Sequence, residues 1–400
     1  MSNKRLLETR KVLLAALALS ALLLSACANG EVVEGDADDG AEDEQAGIAE
    51  DEGEGDEEAP ADETPQEPVD LGTFVYAFSA PTPTPQVHLI VAQEMGFFED
   101  EGLEVEIEIV PDTNAAVRSG DVDAATTSAQ ALLRMHQEDP DAGIVAFFNY
   151  TPRYHGVYAA PADSGLTSIG DLEGLIVGVP SLQFAAYETA RAELQSLGID
   201  PDEDVTWEVT PDPPVIARSF ETGTIDAVVN VDVIQVGVEN LIDMEWTYLD
   251  PAPGFEVMMG PPQGAMLASV EERPEVFAAY ARGVIRAWAF MDENMEAAAD
   301  LMLDRFPELV GADESRSDAR ARVQGQLAVR HENQQPPEWA DDDRYGLLFA
   351  EPFQLTAELE GADAFDATSL FTNIAVEQAW EDVDLDSARA LARDFEVTSD

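Results

Sequence analysis

Arg118-Ser119-Gly120-Asp121-Val122-Asp123-Ala124 returns 103 residues later as Glu221-Thr222-Gly223-Thr224-Ile225-Asp226-Ala227. Each copy reads as a helix stop followed at once by a strand. Glycine takes the left-handed backbone of a helix end without the clash a Cβ brings. The order of elements around the two copies also matches. Before the first, residues 73–78 read as a strand, 87–98 as a helix, 103–110 as an alternating apolar–acidic strand and 114–119 as a short helix. Residues 122–126 form the next strand. Around the second, 175–179, 205–209 and 225–229 read as strands. Residues 184–197, 214–221 and 233–242 read as helices. Ser128 is placed to cap a further helix. Two related α/β lobes follow, each predicted to carry a mainly parallel sheet flanked by helices.

In such sheets ligands bind beyond the carboxyl ends of the strands. Those ends are residues 79–85, 111–114 and 126–128 in the first lobe. In the second they are 180–183, 211–214 and 230–232. Two lobes facing each other through these loops make one cleft.

The composition excludes several functions. Of the 400 residues, 82 are acidic and 20 are Lys or Arg, a formal net charge of -62. Nucleic-acid binding needs clustered cations to release counterions, and anionic membrane surfaces need the same. From residue 71 onward there are 62 acidic residues against 16 bases, all arginine, because Lys4 and Lys11 are the only lysines. A Schiff-base or Walker lysine is therefore absent beyond residue 11. So acidic a domain suits a saline setting, where salt screens self-repulsion. The arginine bias also fits a GC-rich genome.

The amino terminus reads as a targeting segment. Residues 1–26 combine a basic start with a 13-residue apolar run, 12–24, which is too short to span a bilayer. Leu24-Ser25-Ala26-Cys27 resembles a bacterial lipobox, which implies cleavage before Cys27 and attachment of a diacylglycerol to it. Cys27 is the only cysteine, so no internal disulfide forms. Residues 27–70 are rich in Asp, Glu, Gly and Ala and are predicted to be a disordered tether of about 35 Å reach or more. Their acids do not meet the spacing of a calcium loop. Asp341-Asp342-Asp343 comes nearer, but the required twelfth position is Pro352.

Gly96-Phe97-Phe98-Glu99-Asp100-Glu101-Gly102-Leu103-Glu104-Val105 resembles a signature of the substrate-binding proteins of ABC importers for nitrate, sulfonates, taurine and thiamine-pyrimidine precursors. Ser119-Gly120-Asp121-Val122-Asp123 agrees with it. So does Ser168-Ile169-Gly170-Asp171-Leu172-Glu173-Gly174 with Val177-Gly178-Val179-Pro180. The resemblance runs from about residue 73 to 300. It implies an α/β, two-lobe, type 2 periplasmic-binding-protein clamp, with lobe one at 71–160 plus 264–400 and lobe two at 161–263. It also implies an extracytoplasmic, membrane-anchored monomer that serves an ABC permease and its ATPase and needs no cofactor. The carboxy-terminal helices should pack mostly on lobe one, with Phe277, Tyr280, Val284, Trp288 and Met291 as core.

The candidate ligand residues are those at the strand ends. Ser79 and Thr82 lie in the first strand-end loop, while Thr127, Ser128 and Ser181 offer hydroxyls or helix starts to a small anion, or simply cap helices. Gln183, Phe184 and Tyr187 open the first helix of lobe two, where the rings stack on a flat ligand or enter the core. Asn149 and Tyr150 lie on the hinge side, and Asn230 and Asp232 end a strand of lobe two. Arg153 is the best-placed cation, a surface ion pair being the alternative. Asp232 beside aromatic rings favours a neutral or cationic nitrogen heterocycle over an anion.

Two other classes compete. A serine-hydrolase elbow and Cys-x-x-Cys are absent, and His331-Glu332 lacks the second histidine of a zinc helix. Related folds host pyrimidine-forming enzymes that use a histidine and iron, and His88 ends the first loop. The other alternative is a purely structural surface lipoprotein, against which the duplicated lobes argue.

Overall fold

Asp123 and Asp226, the matching aspartates of the repeat, do the same work in the computed structural model. Asp123 takes a hydrogen bond from the Val75 N–H (2.8 Å), and its own N–H donates to the Val75 carbonyl (2.9 Å). Asp226 does the same with Ile176, at 2.9 and 2.8 Å. Gly120 and Gly223 precede them with φ of 75° and 64°. The structure describes residues 69–398 apart from 80–85, 140, 142, 183–184 and 313. The expected signal segment 1–26, Cys27 and nearly all of the tether lie outside the described residues.

The first sheet holds β1 (Gly72–Phe78), β2 (Leu103–Ile109), β3 (Ala124–Thr126) and β4 (Ile144–Phe148). The second holds β5 (Gly156–Pro161), β6 (Ile176–Val179), β7 (Thr206–Val209), β8 (Ala227–Val231) and β9 (Trp246–Tyr248). β10 (Gln263–Met266) returns to the first. The orders are β2-β1-β3-β10-β4 and β7-β6-β8-β5-β9. The first three strands of each order run parallel. The fourth, β10 or β5, arrives from the other lobe and runs antiparallel to its neighbours.

The helices are α1 (Val87–Glu94), α2 (Thr113–Ser119), α3 (Ala129–Glu138), α4 (Ala185–Ser196), α5 (Pro213–Glu221), α6 (Asp232–Glu239) and α7 (Leu267–Glu272). α8 (Pro274–Glu293), α9 (Met295–Arg305), α10 (Arg316–Asn333), α11 (Ala350–Leu359), α12 (Ile374–Asp382) and α13 (Leu385–Asp394) complete the chain. Among the described residues, no helix is long and apolar enough to cross a membrane.

Two expected boundaries move. The chain reaches the second sheet by Gly156, ahead of the expected change at 160, because 156–159 already pair antiparallel with β8. The helix expected over 87–98 ends at Glu94, where Gly96 turns the backbone to φ 71° and sends Phe97 and Phe98 inward.

The long α8 is the spine of the first lobe. Phe277, Tyr280, Val284, Trp288 and Met291 are buried, as their helical spacing predicts. The Gly-Phe-Phe signature docks on this helix. Phe98 stacks on Tyr280 with centroids 5.6 Å apart, and Glu101 accepts from Arg282 at 2.6 Å. The signature is thus a packing motif. Likewise, the Asp171 carboxylate takes backbone N–H bonds from Thr167 and Ser168 in a capping box at the start of lobe two.

Candidate functional site

The lobes are joined by two crossings, residues 149–155 and 249–262. They touch: the N–H of Gly260 donates to the Thr151 carbonyl at 2.9 Å. A Cβ on Gly260 would stand 2.4 Å from Thr151 Cγ2 and 2.8 Å from His155 Nδ1, so only glycine permits the approach. Beside them lies a cavity of about 600 Å³ between α3 of the first lobe, α4 of the second and α11. Ser128, Arg134, His155, Thr189, Arg191 and Thr356 are among the residues that line it.

Polar side chains are also buried near the crossings. The rings of His88 and Tyr150 lie 4.9 Å apart, and Gln334 reaches His88 Nδ1 at 3.4 Å. Arg330 is close enough to depress the basicity of both His88 and His155. Burial, then Arg330, then His331 bring His88 down to about 3; burial and then Arg330 lower His155. Both imidazoles are neutral in ordinary conditions. Gln86 Oε1, His88 Nε2, Asn149 Oδ1, His155 Nδ1, Asn230 Oδ1 and Gln334 Oε1 are buried without a hydrogen-bond partner. A buried polar atom left unpaired costs about 1–3 kcal/mol. Such atoms near the lobe crossings, His88 Nε2, His155 Nδ1 and Gln334 Oε1 among them, are what a polar ligand would satisfy.

The residues expected from sequence divide three ways. Asn149, Tyr150 and Asn230 are buried, Tyr150 against His88 and Asn230 donating to Gln235 Oε1 at 3.1 Å. Ser128 lines the cavity but is also the α3 cap, accepting from the Ala131 N–H at 3.1 Å. Thr127 donates its hydroxyl to Asn114 Oδ1 at 2.8 Å. Ser79 is exposed, and Ser181 is half-buried after β6. Thr82, Gln183 and Phe184 lie outside the described residues. Three others are engaged by protein groups. Tyr187 packs edge-on against Trp207 (4.9 Å, 89°) in the lobe-two core. Arg153 donates to the Pro336 carbonyl through Nε and Nη2 at 3.3 and 2.8 Å, with no carboxylate among the described residues in ion-pair range. Asp232 is spoken for by Arg330 Nη2 at 2.7 Å, Asn333 Nδ2 at 2.9 Å and the Val233 N–H at 2.7 Å.

Arg330, Asn333 and Gln334 come from the end of α10 and were not among the expected site residues. The run Asn333-Gln334-Gln335-Pro336-Pro337 was their only signal, a polar helix terminus. The carboxy-terminal part therefore touches both lobes: α10 packs on α9 and on α6.

A duplicated pair of sheets, joined by two crossings and enclosing a polar inter-lobe site, defines the two-lobe substrate-binding class of the periplasmic-binding-protein fold. Within it, the chain belongs to the NMT1/THI5-like family, whose model matches residues 84–298. A formylaminopyrimidine-binding protein of Halalkalibacterium halodurans is 27% identical over 234 residues. That match covers 55% of this chain and 66% of the relative, just under two-thirds of its length. A solved structure from Bordetella bronchiseptica superposes with a TM-score of 0.54 at 19% identity, covering 77% of this chain and 97% of that one. The periplasmic aliphatic sulphonate binding protein of Escherichia coli gives 0.52 at 13%, covering 78% and 98%. The nitrate-binding protein of Synechocystis gives 0.52 at 12%, covering 79% and 90%. These structures share the fold.

Proposed function

We propose that the chain is the extracytoplasmic solute receptor of an ABC importer and captures an uncharged nitrogen heterocycle of the aminopyrimidine kind. The observation that carries this reading is the buried inter-lobe cluster of neutral groups. Amides and neutral imidazoles offer both donors and acceptors, as a heterocycle with ring nitrogens and amino groups requires. The buried cation of the cluster, Arg330, is already matched by Asp232. The name of the Halalkalibacterium relative supports the same ligand class.

In this reading the receptor is a monomer that binds and does not transform its ligand. Lipidated Cys27 holds it at the outer face of the membrane, and the acidic tether places it near a permease and its ATPase. The lobes, divided at the crossings 149–155 and 249–262, close on the solute by hinge motion.

The test is titration calorimetry and thermal shift with an aminopyrimidine, nitrate and an aliphatic sulphonate. The aminopyrimidine is expected to bind, and at 100 times its Kd to stabilise by about 2.7 kcal/mol. Binding of nitrate or sulphonate in its place would overturn the reading. For the anchor, Cys27→Ser is expected to move the protein from the detergent phase to the aqueous phase in a two-phase partition.

A further inference from the structure

We propose that Asp232 sets the charge selectivity of the inter-lobe site, filling with its own carboxylate an oxyanion cage built by Arg330, Asn333 and the Val233 N–H. The inference deepens the reading of the site as one for an uncharged solute, and rests on it. The geometry is that of a bound oxyanion. Oδ1 receives Arg330 Nη2 at 2.7 Å and the Val233 N–H at 2.7 Å, and Oδ2 receives Asn333 Nδ2 at 2.9 Å. Asp232 and Arg330 are 1% and 6% exposed, so water screens neither. The cage spans the lobes, because Val233 lies on α6 and Arg330 and Asn333 on α10.

Arg330 is not saturated by this carboxylate. Its Nε is buried without a partner, and its charge reaches both His88 and His155. His155 lines the cavity, and the guanidinium is near enough to it to lower its basicity. A buried cation requires a counter-charge, and a small anion supplies it where the protein does not. With Asp232 present, the charge of Arg330 is balanced and the cage is closed to an anionic solute. With its carboxylate removed, the same donors face an opening the size of formate or nitrate.

The experiment uses wild type, Asp232→Ala, Asp232→Asn and the double variant Asp232→Ala/Arg330→Met. Melting temperature is followed against sodium formate and sodium nitrate. Ionic strength is held constant with sodium gluconate, which is too bulky for the cage. Asp232→Ala is expected to gain a saturable upward shift of about 2 °C or more, with wild type and the double variant flat. Asp232→Asn, whose amide fills the space, should respond less than Asp232→Ala. Equal responses in wild type and Asp232→Ala would overturn the proposal. So would an Asp232→Ala protein that stays unfolded at every formate concentration, because the anion then fails to replace the carboxylate. Aminopyrimidine binding to wild type is measured in parallel. Its failure would remove the ligand reading alone, and a flat Asp232→Ala beside a binding wild type would remove this proposal alone.

Discussion

Glu193 shows how one side chain can set the pH response of a lobe. It lies buried on α4, accepting from the Tyr158 hydroxyl and, at 2.7 Å, from the Ala252 N–H. Burial raises its carboxyl to about 7, against the opposing pull of those two donors. A raised carboxyl means that the folded state holds a proton the unfolded state has already released. Its contribution is therefore fully present below the ordinary glutamate range and is lost as pH rises toward 7. The loss over that interval is about 3 kcal/mol. Glu193→Gln should remove this slope, which denaturant melts at pH 5 and pH 7 will read. His88 makes a second prediction at this scale. Because burial keeps its imidazole neutral down to about 3, aminopyrimidine affinity should show no break between pH 5 and 8. An inflection near 6.5 in wild type that is missing from His88→Gln would mean that the ring titrates.

At the scale of elements, close approaches decide what the sequence tolerates. Gly283 on α8 lies under Phe98, and an added Cβ would sit 2.4 Å from the ring. Gly283→Ala should cost about 1–3 kcal/mol of stability by overpacking, measured by urea melts. Gly260→Ala should act differently, because it forces the two crossings apart and moves His155 at the cavity wall. The expected result is weaker ligand binding together with lower stability. Unchanged affinity in a folded Gly260→Ala protein would place His155 outside the site. The helix and strand spans were largely legible, since periodicity and glycine stops are local signals. Ser128, Asp112 and Asp212 cap α3, α2 and α5 through bonds three residues away. The site was legible only in part. Asn149 and Asn230 sit at strand ends, which topology marks. Arg330 and Gln334 reach the cluster from a helix far along the chain, and no local pattern connects them to Asp232. Tyr187 stayed open between ligand and core because a ring near a helix start looks alike whether it faces a ligand or Trp207.

Over the whole molecule, self-repulsion is the dominant electrostatic fact. With 62 acidic residues against 16 basic ones beyond residue 70, stability should rise with salt. The screening length falls from about 10 Å at 0.1 M to about 3 Å at 1 M. Thermal melts across that range will show an upward trend, and a flat or falling curve would mean that the acids are locally compensated.

The ion pair between Asp232 and Arg330 has a thermodynamic corollary. A hinged molecule whose halves meet only through two strands is free to melt in two stages. Here lobe two cannot unfold without stranding the guanidinium of α10, and α10 cannot leave without stranding the carboxylate of α6. Each half holds the other's counter-ion. The calorimetric endotherm should accordingly be single, and replacing Asp232 and Arg330 together should divide it into two.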